Sequence, residues 1–325
     1  MFDPTLLPLL VIAFHQPAMA ASVCVPGSEP VPVVVRSEAE QARLVASLSR
    51  GGCAPDGVSD FEDIVRLSSW AGLEPTRIVY IDASAPLGGD GSSWQSAYQS
   101  LHDALNAESF DGEVVEIRMA GGVYRADRVN GQNTLDPDLT YLIPGLVGTG
   151  TDLHGLKRIS GGYAGRDAKN PDERDLDLYP TVFTGDLLGD DTPDFANYAD
   201  NTKVMFNAGA VDLNGITIEH ARIGASSVRW MTDSTVRWCF ASGDDLPLDR
   251  DDRIPVLARD ARIVGNTFHN NRGEAYGGAL SADGLVVVAN SRFLSNEAPG
   301  GGAISVPFSR FAQVIVQNSF FSGNS

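Results

Sequence analysis

Carboxylates are the most abundant groups in this chain that can do chemistry, and they are unevenly placed. Residues 171–200 hold nine Asp or Glu against a single Arg, with GDLLGDDTPD (185–194) inside that stretch, and DDLPLDRDD (244–252) adds five Asp. Such clusters have two functional readings. One is a calcium site, because a hard cation takes oxygen ligands; the other is a cleft in which one carboxyl serves as acid and a second as base or nucleophile. The plain alternative is a set of solvated loops that keep the chain soluble. The spacing is irregular and lacks the ligand positions of an EF-hand loop, which favours the solvated loops. No cofactor is expected, with calcium as the one candidate, and no pair of carboxylates stands out as acid and base.

The other reactive side chains are sparse. His15 lies in the first apolar run, His102 in an amphipathic segment, His154 in a Gly-rich loop, and His220 and His269 at the ends of apolar runs. They form no H-x-x-x-H pair, and no G-x-S-x-G elbow supplies a nucleophile. Of three cysteines, Cys24 and Cys53 lie in a Pro- and Gly-dense segment where one disulfide would close a 30-residue loop. Cys239, in VRWCF (236–240), alternates with large residues and reads as a small buried hydrophobe. No C-x-x-C spacing suggests a metal. A formal net charge of −18 repels phosphate backbones, so nucleic acid is excluded as a partner and other polyanions are disfavoured.

The elements that would position any site announce themselves by repetition. Phe268 and Asn271, Phe293 and Asn296, and Phe321 and Asn324 each form F-x-x-N, and successive copies are 25 and 28 residues apart. Each copy ends an apolar run: ARIVGNTF (261–268), LVVVANSRF (285–293) and AQVIVQNSFF (312–321). After the first two come Gly277-Gly278 and Gly301-Gly302, opening GGAL and GGAI. Periods of 20 to 50 residues mark stacked units that cannot bury an apolar face alone, and strand-like runs without intervening helices select a parallel β-helix. Equivalent residues then lie one strand spacing, about 4.8 Å, above one another. Phe on Phe fills one interior slot, Asn on Asn passes an amide along a ladder, and the glycine pairs bend the chain where a Cβ would clash.

The alternation of G-G-A-[ILV] with F-x-x-N resembles the repeat of polymorphic outer membrane proteins, known from chlamydial surface proteins and other large bacterial exported proteins. Five instances in order, from Phe268 to Asn324, carry the resemblance. It implies a right-handed parallel β-helix at a cell surface, with adhesion as the usual role. Upstream, VYIDASAPLGGDGSSWQSAYQSLHDALNA (79–107) resembles the opening module of exported β-helix proteins: a strand, a D-G-x-S-W turn and a helix that plugs the solenoid. Trp94, Ala97, Tyr98, Leu101, Ala104 and Leu105 recur with helical spacing, and Ser92 or Ser93 is placed to cap the start. VVEIRMAGGVYR (114–125), RISGGYAGRDAKNPDERDLDLYPTVFTGDL (158–187) and VDLNGITIEHARIG (211–224) are similar to early turns of such proteins. DGVSDFEDI (56–64) is similar to the D-G-x-x-D-D segment of tailspike and pectate-lyase-like β-helices but lacks the second adjacent Asp. The N-T-D and G-H-G segments of galacturonan hydrolases are missing.

At the N-terminus, LLPLLVIAF (6–14) followed by Ala18-Met19-Ala20 reads as an export signal over 1–20. A nine-residue apolar run is too short to span a membrane, which needs about 20 residues. The expected organisation is a signal peptide at 1–20, a small N-terminal region at 21–75, and an all-β, right-handed parallel β-helix with a short capping helix at 76–325. The last F-x-x-N ends one residue before Ser325, so further β-helix turns or an anchor are expected beyond residue 325. The expected function is an exported, non-catalytic, adhesin-like surface that meets an extracellular glycan or protein. A carbohydrate-active β-helix enzyme, lyase or glycosidase, is the alternative, and a calcium-stabilised carbohydrate-binding module a third reading.

Overall fold

The computed structural model describes residues 75–107, 114–143, 157–208, 211–242, 254–274, 276–306 and 313–325. It also describes three strands nearer the N-terminus, Ala13–His15, Ala18–Val23 and Val31–Val35. The Cys24–Cys53 pair lies outside the described residues, as does most of the expected leader. The chain divides into two compact units, residues 1–72 with 315–318 and residues 73–314 with 319–325. The three N-terminal strands form an antiparallel sheet in which Ala20 faces Ala13 on one side and Val34 on the other.

The second unit is a parallel β-helix. Its first sheet runs through Arg77–Ile81, Val115–Ala120, Lys157–Tyr163, Val211–Asn214, Ile223–Thr232, Val256–Val264 and Leu280–Ala289, all parallel, and Ile304–Ser305 pairs with the first two residues of Leu280–Ala289. A second sheet of seven short parallel strands runs from Gly122–Tyr124 to Phe320–Ser322. The third side is built from Tyr141–Ile143, Val204–Ala208 and the leading halves of the three long strands that begin at Ile223, Val256 and Leu280. The trailing halves of those strands start the next turn on the first sheet.

Alternation puts every second residue inside, and the register stacks these residues in columns. On the first sheet the column is Val79, Ile117, Ile159, Leu213, Met231, Ile263 and Val288. On the second it is Tyr124, Phe183, Ile218, Val236, Phe268, Phe293 and Phe321. All are buried except Phe321, at 42% exposure. The rings of Phe268 and Phe293 are 4.8 Å apart and 8° from parallel, and those of Phe293 and Phe321 4.9 Å and 3°. The strand spacing therefore sets the ring spacing.

Corners are made by single residues in the left-handed region. Between the first and second sheets these are Gly215, Asp233, Gly265 and Asn290; after the second sheet they are His220, Trp238, Asn270, Ser295 and Gly323. From Val211 onward the first corner is the same two-residue step in every described turn: Gly215-Ile216, Asp233-Ser234, Gly265-Asn266 and Asn290-Ser291. The whole turn is nonetheless variable. Equivalent residues are separated by 18 (Asn214 to Thr232), 32 (Cys239 to Asn271), 25 (Asn271 to Asn296) and 28 (Asn296 to Asn324). In the 25-residue turn the extra residues lie between the second sheet and the third side, where ten residues separate His269 from Leu280 against three between Glu219 and Ile223.

One element differs from the sequence expectation. The helix spans only Leu101–Ala107, with Ser100 Oγ accepting from Asp103 N at 3.1 Å, instead of starting near Ser92 or Ser93. The residues before it are held otherwise. Asp90 accepts from Ser92 N at 3.0 Å and Ser92 Oγ at 2.7 Å, forming a turn. Tyr98 pairs with the first strand, donating to Tyr80 O at 3.0 Å and accepting from Asp82 N at 2.9 Å. Trp94 packs its ring against Tyr80 and Tyr163. Leu101 and Ala104 turn into the core beside Val79 and Ile81. No helix among the described residues is long and apolar enough to cross a membrane.

Candidate functional site

The repeat residues all serve the scaffold's interior and corners. Asn271 Nδ2 donates to Asn296 Oδ1 at 3.0 Å and to Val236 O at 2.9 Å; Asn296 Nδ2 donates to Asn324 Oδ1 at 2.9 Å and to Phe268 O at 3.0 Å. Each Oδ1 also accepts the backbone N–H of the preceding rung: Asn271 Oδ1 from Cys239 N, Asn296 Oδ1 from Asn271 N, and Asn324 Oδ1 from Asn296 N. Cys239 thus occupies the ladder's slot one turn earlier, fully buried and with a free thiol that burial pushes up to about 12. Gly277 and Gly301 take the left-handed region. Gly278 and Gly302 do not; a Cβ on Gly278 would strike Gly302 O, and one on Gly302 would strike the backbone of Ser325.

A second ladder escaped the sequence reading. Ser234 Oγ accepts from Ile216 N at 3.2 Å, Asn266 Oδ1 from Ser234 N at 2.9 Å, Ser291 Oγ from Asn266 N at 3.2 Å, and Ser319 Oγ from Ser291 N at 3.1 Å. Its signal is a Ser or Asn two residues before Val236, Phe268, Phe293 and Phe321, and the mixture of types hides the period.

The outer walls are tiled by ion pairs. Arg118 bonds Glu116 and Asp172 at 3.0 Å each, Arg158 bonds Asp212 at 3.0 Å, Arg237 reaches Glu219 at 2.6 Å, and Arg259 reaches Asp283 at 3.0 Å. Most pairs join adjacent rungs, so the wall neutralises itself. Burial raises the Asp212 carboxyl, against the pull of Arg158.

Chemistry converges at the corner after the second sheet. The chain leaves that sheet at Gly185, makes an excursion over 186–201, and returns where Thr202 N donates to Gly185 O at 2.9 Å. The excursion folds against His220, the corner residue of the next turn. His220 Nδ1 donates to Asp191 Oδ2 at 2.9 Å. Asn201 Nδ2 donates to the same carboxylate oxygen and to His220 O, both at 2.6 Å. Tyr198 donates its hydroxyl to Trp238 O at 2.8 Å and touches His220 Nδ1 at 3.1 Å. The Asp191 side chain is 1% exposed and that of His220 23%. Burial raises Asp191 to about 6, with the charge of Asp186 adding, while Asn201 and His220 pull it down. At neutral pH a carboxylate therefore holds Nδ1 as the protonated nitrogen, and Nε2 is the ring atom left for another partner.

Aromatic rings line the same corner. Phe195 lies 5.4 Å from Tyr198, 5.2 Å from Phe240 and 6.2 Å from Trp238. Trp238 sits one rung from His220, since Glu219 and Arg237 are in register. Arg272 lies over Phe240 at 5.2 Å, and His269 meets Trp238 edge-on at 6.4 Å. Burial, followed by Arg237, lowers His269. Within the excursion the carboxylates of Asp186, Asp190 and Asp200 come within 4.8 Å of one another, the donor type that suits a hard cation. Asp186 and Asp200 already accept loop amides from Gly189 and Leu188.

The structure thus joins two features that the sequence kept apart, the 185–194 acidic stretch and His220. His102 is placed in the core instead, its Nε2 2.7 Å from Ala126 O and its ring on Tyr141. The whole of the 244–252 stretch and His154 lie outside the described residues.

No protein-family profile and no curated protein sequence matches this chain. Two solved structures resemble it in part. A rhamnogalacturonan lyase shares 12% identity at a TM-score of 0.37, over 76% of this chain and 50% of that one. A pectate lyase shares 14% at 0.36, over 79% and 56%. The chain spans about half the length of each.

Proposed function

We propose that this protein is an exported β-helix that presents a surface to extracellular glycans in an adhesin-like role, of the polymorphic outer membrane protein type, and that the His220–Trp238 corner is where a glycan docks. The observation that carries the reading is the row Trp238, Phe195 and Phe240 beside His220 and Arg272. Aromatic faces take the apolar C–H faces of a pyranose while nearby polar tips take its hydroxyls. Ion pairs occupy other parts of the described outer faces. A net charge of −18 selects neutral or amine-bearing glycans over polyanionic ones.

The test is a glycan array with the wild-type protein and Trp238→Ala. Binding to a set of neutral or amino glycans that is lost in the variant supports the reading. Binding that survives the substitution, or an array that shows no binding, overturns it. Fractionation of the producing cell, with the protein found in the envelope or medium, tests the export part separately.

A further inference from the structure

We propose that His220 is a catalytic general base, with Asp191 as its positioning residue, and that it activates water to hydrolyse an acyl ester carried by a glycan docked at this corner. The ester's being on a glycan rests on the docking proposed above; the base itself does not.

The argument begins with the imidazole. A solvated histidine on a surface turns freely, but this one is tied by Nδ1 to Asp191 Oδ2 at 2.9 Å. The carboxylate is held in turn by Asn201, and its other oxygen, Oδ1, is buried without a hydrogen-bond partner. Such a carboxylate is unfavourable for folding alone and suits a role of fixing the ring tautomer and stabilising an imidazolium formed at Nε2. The His220 side chain is partly exposed while its orienting partner is not.

The reaction class follows from what stands beside the base. Glycosidic hydrolysis needs two carboxyl groups across the bond, one of them reaching the leaving oxygen. Asp191 is buried behind the imidazole and spent on it. Elimination requires a uronate whose own carboxylate is neutralised, and a protein of net charge −18 disfavours polyanionic glycans. An ester needs neither device, since its carbonyl carbon accepts water that one base has activated. Water gives a proton to His220 Nε2 as its oxygen bonds to the carbonyl carbon. The tetrahedral adduct then breaks its bond to the sugar oxygen, which takes the proton back from Nε2. The products are a free sugar hydroxyl and a carboxylic acid.

The experiment uses the full chain, as wild type, His220→Gln and Asp191→Asn, with matching thermal melts to establish folding. Two substrates are needed: p-nitrophenyl acetate, which requires no glycan docking, and O-acetylated glycans, with acetate release followed by NMR. The expected result is that His220→Gln lowers both rates by about 100-fold or more. Asp191→Asn should lower kcat and displace the pH profile, a change that a merely structural role would not produce. Equal rates for wild type and His220→Gln on p-nitrophenyl acetate overturn the assignment of the base, whatever the array shows. Turnover of p-nitrophenyl acetate that depends on His220, without acetate release from glycans that the protein binds, overturns the ester substrate and leaves the docking reading standing.

Discussion

Asn271 donates its side-chain amide to Asn296 at 3.0 Å, and the same acceptor oxygen takes the Asn271 backbone N–H at 3.1 Å. One atom therefore serves two donors on the rung before it. Asn296→Leu leaves the Asn271 N–H and one amide hydrogen of Asn271 without an acceptor in a buried slot, and Phe268 O loses one donor. Each stranded buried group costs about 1–3 kcal/mol. The expected loss is about 2–5 kcal/mol in a denaturant titration, whereas Asn290→Gly at the exposed corner should change stability little. An unchanged midpoint for Asn296→Leu would remove the ladder from the account of stability.

The glycine pairs separate two reasons for having no side chain. Gly278 needs space, because a Cβ there would collide with Gly302 O and meet Glu297 N at 2.6 Å. Gly189 needs only conformation, at φ 75° with nothing within 4 Å of a built Cβ. Gly189→Ala is expected to cost about 1 kcal/mol, the left-handed penalty alone. Gly278→Ala should cost more, about 1–3 kcal/mol or beyond, because two rungs must part. Comparable unfolding midpoints for the two variants would contradict this ordering.

Cys239 should be chemically silent until the protein unfolds. The thiol is fully buried and held up to about 12, so at pH 8 almost no thiolate exists to be alkylated. Iodoacetamide followed by peptide-resolved mass spectrometry should leave the Cys239 peptide unmodified in the native protein and fully modified in 6 M guanidinium, a concentration of about the strength used to unfold hyperstable proteins. Rapid native labelling would place the residue at the surface.

Asp191 gives stability a pH dependence of known sign. Its folded value, about 6, is above the ordinary carboxyl value of 3.8, so between these the folded state keeps a proton that the unfolded state has released. Unfolding free energy therefore falls as pH rises from 3.8 to about 6, and this group adds no further slope above that. Asp212, also raised, contributes with the same sign, so the informative quantity is the difference between wild type and Asp191→Asn. Titrations at pH 4, 5, 6 and 7 should show the variant gaining relative to wild type across that window. A constant difference would mean that the carboxyl titrates normally.

The late turns are legible in the sequence because they repeat residue types as well as positions. Phe268, Phe293 and Phe321 share a column with Tyr124, Phe183, Ile218 and Val236, yet only the first three stand in F-x-x-N. The slot needs an apolar body of suitable volume, and early turns fill it variously, so period detection fails where packing does not. Likewise Asn271 and Asn296 are visible as a ladder while Cys239, in the same slot, is not. The helix was over-extended because Trp94, Ala97 and Tyr98 are apolar at helical spacing for another reason: Trp94 packs on aromatic neighbours, and Tyr98 pairs as strand with Ile81. The His220–Asp191 contact spans 29 residues and two turns, joined by an excursion whose return point no local pattern marks.

The two-residue first corner, constant from Gly215-Ile216 to Asn290-Ser291 while turn length varies from 18 to 32, has an evolutionary consequence. Stacking locks the first corner, because a residue added there would shift a whole rung against its neighbours and flip the side chains that follow to the opposite face. The path from the second sheet to the third side carries no such lock, so it is the address at which this lineage can accept new sequence without renegotiating the core. The same address suits grafting: a foreign peptide placed there would be displayed once per turn, at a height set by the strand spacing.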